Sequence, residues 1–414
     1  KSKLNTLKNT ADKFRTINGG AVGKTATSSN ENVFNAIATN AASVGSSTVT
    51  VTSIAKNATM SFDDRFTSGD DVINSSLSGA TDRTISFTVG TGTSQEVVDI
   101  ELDETTTIND LVASFNSQSN NATASLVNLG TASSPSYAFT ITSKNSGTEK
   151  GQIAVSVGSD IISTGTGAFK SNTLSQATNA QFSVSGISGT ITRSSNNVND
   201  VIPGVTLNLQ STGTSVLTVG NDPSATTSVL QDFVEAYNDL KSFIDENNII
   251  TQEEDGSGEV QSIFGPLSGT SLDQNILTSI RSAFSSSSTS GGIYNTLYDY
   301  GFKTERDGSL SLNLKELTER LAEDPNSLTQ ITQNLGDTLA SVDGTIAQYT
   351  RFNGLLDVSI NINKNQINDL NSRISSVEKS LSKQEADLTA QFARLESLIG
   401  RLNSQQSQLS SLLG

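Results

Sequence analysis

Gly19-Gly20-Ala21-Val22-Gly23-Lys24-Thr25 is the stretch of this chain whose residue types come closest to a recognisable chemistry, the cradling of a phosphate. The phosphate-loop pattern needs a glycine five positions before Gly23, and Asn18 stands there instead. A helical pattern precedes the segment where a strand is required, and no helix start follows Thr25 to offer its dipole to an anion. The segment therefore reads as a glycine loop that ends a helix. Glu253-Glu254-Asp255-Gly256-Ser257-Gly258-Glu259 has the charge to attract calcium but lacks the alternating ligand order of a calcium loop, and reads as an acidic surface loop. Asp63-Asp64-Arg65 and Asp70-Asp71 place carboxylates side by side, but neighbours in sequence do not make an acid–base pair, so they read as surface charge.

Composition narrows the chemistry further. The 414 residues include no histidine, cysteine or tryptophan. Ser-His-Asp and Cys-His catalysis are excluded, and so are metal sites built on imidazole or thiolate. An enzyme reading would rest on carboxylates, lysine or tyrosine, and nothing converges on such a site; no cofactor is implied. Absence of cysteine also excludes disulfides and fits a secreted bacterial protein, as well as many cytosolic ones. Forty-two acidic residues against 26 basic ones leave a formal charge of −16, which disfavours nucleic acid as a partner. No apolar run approaches a membrane span. The first residue is Lys1, inside a helix-like stretch, so the natural N-terminus is expected upstream, and any export signal with it.

The elements that would carry a function follow the order helix, β, helix. Leu4, Leu7, Ala11 and Phe14 predict a helix over 1–17 that stops at Asn18-Gly19-Gly20. Residues 31–43 read as a loop or weak helix. From Gly45 the pattern alternates: strands are expected at Val49 and Val51, at 85–89, 97–100, 124–127, 137–142 and 152–157, and again at 180–184, 189–192, 205–209 and 216–219. Thr107 caps a short helix over 108–116. Asp222-Pro223-Ser224 opens a helix carrying Leu230, Phe233, Tyr237, Leu240 and Ile244, a face that reads as core. Another helix carries Leu272, Ile276, Ile280 and Phe284, and Ser285–Gly292 reads as a linker. Asp307-Gly308 marks a hairpin, Asn313 with Glu316 a capped helix start, and Asp324-Pro325 another.

The tail carries the clearest pattern. One heptad position falls on Ile360, Ile367, Ile374, Leu381, Leu388, Leu395, Leu402 and Leu409, all branched aliphatics. The second falls on Asn363, Leu370, Val377, Gln384, Gln391, Leu398, Gln405 and Leu412. This spacing predicts one helix of roughly 80 Å with an apolar seam that needs a partner helix. Amides within a seam lower stability and can set register; the alternative is an imperfect coil whose amides face solvent. Phe392 sits beside the seam and either contacts another helix or subunit or broadens the seam.

The expected fold is α+β multidomain: terminal helices form a coiled-coil or helical stalk, and β-rich head domains are inserted between them. The expected division is a helical domain of 1–45 plus 223–345, a β head domain of 46–72 plus 173–222, a second β head domain of 73–172 inserted in the first, and a coiled-coil leg of 346–414.

The chain resembles the flagellar filament cap proteins, the FliD or hook-associated protein 2 family. Ser47–Ala55 is similar to the family's strand leaving the N-terminal helical region, and Thr107–Asn116, with 122–127 and 139–144, resembles its flagellin-hook repeat. The most specific stretch is Ala177–Gly186 continuing through Ser195–Leu209, followed by Asp222 and Phe233–Asn238. Tyr300-Gly301-Phe302, Asp307–Leu312, then Leu388, Gln391, Phe392, Leu395, Glu396 and Asn403-Ser404-Gln405 match its later helical parts. The resemblance implies a non-enzymatic assembly factor, secreted to the flagellar tip, that forms a ring of five or six copies, retains exported flagellin and promotes its folding. It implies as further partners the hook-filament junction protein and a cytoplasmic export chaperone at the C-terminal region. A different class of reading is a surface adhesin whose β head binds host mucin or glycans.

Overall fold

Alternation in the Ser/Thr-rich middle of the chain does produce sheet. In the computed structural model, which describes residues 1–163, 169, 171–254, 256, 260–265, 267–268, 272–285 and 291–413, Val49 and Val51 point into a core while Thr48 and Thr52 face outward. Threonine suits this pattern because its branched Cβ fits a pleated surface and its hydroxyl pairs across strands. Thr50 and Thr214 hydroxyls lie 3.0 Å apart, and those of Ser46 and Thr218 3.3 Å.

The chain divides into two compact units. One comprises Lys1–Asp12, Glu235–Ser285 and Leu335–Gly414; the other comprises Lys13–Val234 and Ser286–Asn334. Mixed helix and sheet with a long C-terminal helix make the chain α+β and multidomain, as expected.

The second unit holds two β layers. The first joins an antiparallel sheet in the order Gly23–Ser28, Gly213–Asp222, Gly45–Ser53, Ala180–Val184, Ile191–Arg193 to a three-stranded sheet of Asn197–Ile202, Val205–Leu209 and Phe34–Ala38. Phe34, Val49, Val51, Phe182, Leu207 and Leu217 are among its core. Three of these strands are not in the sequence reading, Asn197–Ile202 among them. Phe34–Ala38 lies within the expected loop or weak helix, and Gly23–Ser28 begins in the expected glycine loop and runs past it. Both are set by distant partners: Ala36 pairs with Leu207 and Ala26 with Val219. Both also fall within 1–45, the stretch that the expected domain division places in the helical domain.

The other layer pairs Asn172–Ser175, Asn57–Phe62, Tyr137–Ser146 and Ala122–Asn128 in one sheet, and Glu96–Glu101, Thr84–Val89 and Ile153–Val157 in another. Helix Ile108–Gln118 starts at Thr107 in a full capping box with Asp110, and buries Ile108, Leu111 and Phe115. Phenylalanine makes up for the polar composition here. Phe87 meets Phe115 edge-on at 5.2 Å and Phe62 edge-on at 6.4 Å, and Phe139 at a tilt at 6.0 Å, all fully buried. The Ala122–Asn128 strand lies at the edge of its sheet, and Asn116 blunts that edge. Its amide donates to the Ala124 carbonyl at 2.9 Å and accepts from the Ala124 N–H at 2.8 Å, taking the place of a neighbouring strand.

The helical elements follow their signals. Asp222 accepts from the Ala225 N–H at 2.9 Å and opens the Pro223–Asn247 helix, whose Leu230, Phe233, Tyr237, Leu240 and Ile244 are buried. Asp307-Gly308 turns the Phe302–Thr304/Leu310–Leu312 hairpin, with Gly308 at φ 83°. Asn313 accepts from the Glu316 N–H at 3.3 Å to cap Leu314–Glu323, and Pro325 begins Pro325–Ala340. Leu272 lies at the start of the Leu272–Ala283 helix, but its side chain is outside the described set, as are residues 286–290 of the expected linker.

Carboxylates also fasten loops. Asp103 accepts from the Thr105 hydroxyl and N–H, each at 2.8 Å, and from the Thr106 hydroxyl at 2.9 Å, which brings its pKa down to about 2. Hydrogen bonds from Ser159 hold Asp82 low in the same way, and those from Thr107 hold Asp110 low.

Two outcomes follow. Phe87→Ala should lower the unfolding free energy of its layer by about 3–5 kcal/mol, read from urea denaturation; a loss under about 1 kcal/mol would mean that the core closes over the gap. Groups whose carboxyl pKa is depressed on folding bind fewer protons folded than unfolded, so they stabilise above the unfolded value and lose that contribution as pH falls through the folded one. Urea midpoints should therefore be flat above about pH 5 and fall between about pH 4 and 2, and Asp103→Asn should make that fall shallower.

Candidate functional site

The residues that resemble a phosphate loop are already committed to the protein itself. A short helical turn, Thr16–Asn18, ends at Gly19 and Gly20, with φ of 89° and 85°. The Ala21 N–H donates to the Thr332 hydroxyl at 3.0 Å and the Gly23 N–H to that of Thr226 at 2.9 Å. Lys24 donates to Asn221 at 2.6 Å, and burial lowers its pKa. A phosphate loop needs these N–H groups pointing into open space ahead of a helix; here they face side chains and a strand follows.

Paired acids are likewise structural. Asp64 accepts the N–H of Phe169 at 2.6 Å, steadying a buried aromatic held at φ 63°, while Arg65 donates to the Phe62 and Asp64 carbonyls at 2.8 Å. Asp70 accepts from Asn109 at 3.1 Å, and Asp71 accepts from the Thr67 and Ser68 N–H groups at 2.6 and 3.0 Å. Glu253 and Glu254 lie exposed on the Ile250–Glu254 strand, and Asp255, Ser257, Gly258 and Glu259 fall outside the described residues. Among the described residues no group of three or more acids could hold a metal ion.

What remains is the tail. Leu355–Leu413 is one helix of 59 residues. It carries Ile360, Ile367, Leu370, Ile374, Val377, Leu381, Gln384, Leu388, Gln391, Leu395, Leu398, Leu402, Gln405 and Leu409 at their heptad positions, and every residue from 360 to 410 is exposed. The aliphatic members of the seam are between 46% and 65% exposed, and Phe392 is 69% exposed. Leu412 lies on the same helix, but its side chain is outside the described set. Ile399, 49% exposed, follows Phe392 by one heptad and widens the apolar face over its C-terminal half. Residues 355–413 contain six basic and six acidic side chains, so the −16 of the chain resides wholly outside this helix. Two such helices can approach without net repulsion.

At its root the helix is tied to the start of the chain. Lys1 donates to Asp357 at 2.5 Å, a hydrogen bond that holds the Asp357 carboxyl below its ordinary range. Helix Ser2–Asp12 buries Leu4, Leu7 and Ala11, and it packs against Thr345–Thr350. The tie could not be read from periodicity, because it joins residues 356 positions apart.

Comparison with known proteins puts this architecture beside one family. The family model for the flagellar hook-associated protein 2 C-terminus matches residues 177–404, and that for its N-terminus matches residues 1–58. The A-type flagellar hook-associated protein 2 of Pseudomonas aeruginosa is 30% identical over 196 residues, 46% of this chain and 40% of that protein. Flagellar hook-associated protein 2 of Campylobacter jejuni is 24% identical over 330 residues, 68% of this chain and 50% of that protein. The chain thus spans half or less of the length of these curated relatives. Its fold is similar to the crystal structure of the flagellar cap protein FliD D1-D2-D3 domains from Escherichia coli, with a TM-score of 0.61 at 22% identity, covering 87% of this chain and 98% of that one.

Exposure of the stripe has a measurable consequence. In dilute solution Ile374→Ala and Leu388→Ala should each change unfolding free energy by less than about 0.5 kcal/mol, as exposed positions do. Losses of about 2–5 kcal/mol in urea titrations at the same dilution would show that these side chains are covered within the single chain.

Proposed function

The chain belongs to the flagellar hook-associated protein 2 family, and from that premise we propose that it is a structural assembly factor of the filament cap at the distal tip of the bacterial flagellum, outside the cell. It retains exported flagellin there and promotes its folding and polymerisation. The observation that carries this reading is the 59-residue helix with its seam in water. An apolar stripe of that length gains free energy only when another helix covers it, at about 25 cal/mol for each Å² removed from water.

In this reading the copies form a ring of five or six, with the hook-filament junction protein and an export chaperone as further partners of the helical parts. The division into a helical part, two β head domains and a C-terminal leg is its frame, with the leg as the assembly element. The seam is the assembly surface, and Gln384, Gln391 and Gln405 interrupt it with amides that weaken the coil. A seam weakened in this way releases and re-engages as the cap advances. Phe392, beside the Gln391 layer, is an inter-helix contact. The role is mechanical, without catalysis. No observation on the chain favours the adhesin reading.

Purified protein added to filaments that lack a cap should restore flagellin polymerisation at their tips, and the combined change Gln384→Leu, Gln391→Leu and Gln405→Leu should tighten the coil and slow growth. Filaments that fail to grow with the unaltered protein would remove the cap reading. Growth unchanged by the three leucines would remove the release step alone.

A further inference from the structure

The second β layer carries a cover that is not itself sheet. Between strands Asn57–Phe62 and Thr84–Val89, residues 63–83 run without a strand or a helix. A stretch of this length is uncommon inside a compact fold unless it has a task. It gives Phe66, Ile73 and Leu77 to the buried core, where they join Phe62, Phe87 and Phe115. Its strand-like ties are two isolated bridges, Phe66 with Tyr137 and Val72 with Thr107.

Carboxylates fasten it on either side of Ile73 and Leu77. On one side Asp71 accepts from the Thr67 and Ser68 N–H groups at 2.6 and 3.0 Å and from the Thr67 hydroxyl at 3.0 Å, which folds 67–71 into a tight loop. That loop docks on the start of helix Ile108–Gln118. The Ile108 N–H donates to the Asp71 carbonyl at 3.1 Å, and the Asn109 N–H to the Gly69 carbonyl at 2.9 Å. On the other side two aspartates clasp each other's loops. Asp82 accepts from the Ser159 N–H at 2.8 Å and from its hydroxyl at 2.7 Å. Asp160 accepts from the Thr81 and Asp82 N–H groups at 2.9 and 2.8 Å.

We propose that residues 63–83 are an acid-released strap: protonation of Asp71 and Asp82 loosens both fastenings, and the strap leaves the core ahead of the strands beneath it. Each fastening is an ionised carboxylate that accepts from neutral N–H and O–H donors. A protonated carboxyl is a weaker acceptor, and one of its oxygens becomes a donor facing other donors. The Ser68 N–H chiefly holds Asp71, and the Ser159 N–H chiefly holds Asp82, below the ordinary carboxylate range. Both therefore stabilise the closed strap above their unfolded values and cease to do so as pH falls through the folded ones. The neighbouring charged groups do not replace what is lost. Asp103 and Glu104 lie in the loop whose Thr106 carbonyl receives the Ile73 N–H, Asp110 is on the helix that 67–71 meets, and Asp63, Asp64 and Asp70 are on the strap itself. Tyr137, opposite Phe66, is a further titratable group. Arg83 is paired with Glu101 at 2.8 Å, and Arg65 donates to the Phe62 and Asp64 carbonyls at 2.8 Å. The chain has no histidine, so acid removes negative charge here without creating a new cation to take over the fastening.

Amide hydrogen exchange of the full chain, read by mass spectrometry and corrected for intrinsic rates, tests the strap. Between about pH 5 and about pH 2.5, peptides within 64–82 should lose protection at least about tenfold, while those within Thr84–Val89 and Gly45–Ser53 change less than about twofold. Asp82→Asn keeps the side chain's shape and removes its charge. At about pH 7 it should speed exchange within 64–82 at least about threefold and shrink the rise in acid, and Asp71→Asn should do the same through the other fastening. Exchange within 64–82 that stays flat into acid, or that rises only together with the strands beneath, overturns the strap. An acid rise that keeps its full size in both variants overturns it too. If Asp82→Asn does not fold, Asp71→Asn and the unaltered chain decide the question by the same readings.

Discussion

A 59-residue helix cannot fold back to cover its own apolar stripe, and much else in this molecule can be understood from that constraint. The heptad spacing keeps branched aliphatics on one line for the whole length, and each is about half exposed. The root is anchored where helix Ser2–Asp12 buries Leu4 and Leu7 and where Lys1 meets Asp357. Between root and tip, every residue from 360 to 410 faces water. Stability of that segment in one copy therefore rests on helix propensity and local pairs, which are small terms. Covering the seam is the large term left to gain.

Charge is distributed consistently with this. The long helix is neutral, and the acidic excess lies elsewhere in the chain. Net charge on the rest of the molecule resists indiscriminate association, while the neutral seam leaves close helix packing without a Coulombic penalty. Many of the acids are also employed locally. Asp64, Asp71, Asp82, Asp103 and Asp110 each accept hydrogen bonds from nearby N–H or hydroxyl groups. Members of the acidic pairs and of the glycine loop that first suggest chemistry are thus engaged in holding turns and in contacts within the fold.

The β layers meet a composition poor in apolar residues by concentrating phenylalanine. Phe62, Phe87, Phe115, Phe139 and Phe169 form one connected aromatic cluster, with Asp64 fixing the backbone of Phe169. Around it, threonine and serine take the outward positions, where their hydroxyls pair with one another or with backbone. A sheet edge such as that of Ala122–Asn128 is closed by the Asn116 amide in place of an additional strand.

Sequence by itself determined whatever depends on residues a few positions apart. Heptad spacing, the Leu230-to-Ile244 face, the Asp307-Gly308 turn and the caps at Thr107, Asp222 and Asn313 are all local, because helix faces and turns are built within one or two turns of chain. Tertiary structure alone decided whatever depends on a distant partner. Phe34–Ala38 is a strand only because Val205–Leu209 pairs with it, and the glycine loop runs into a strand because Gly213–Asp222 lies beside it. The Lys1–Asp357 tie and the strap of residues 63–83 across the second β core are likewise invisible to periodicity. Local spacing encodes which face of an element is apolar; only the folded chain settles which of those faces are covered, because burial depends on neighbours hundreds of residues away.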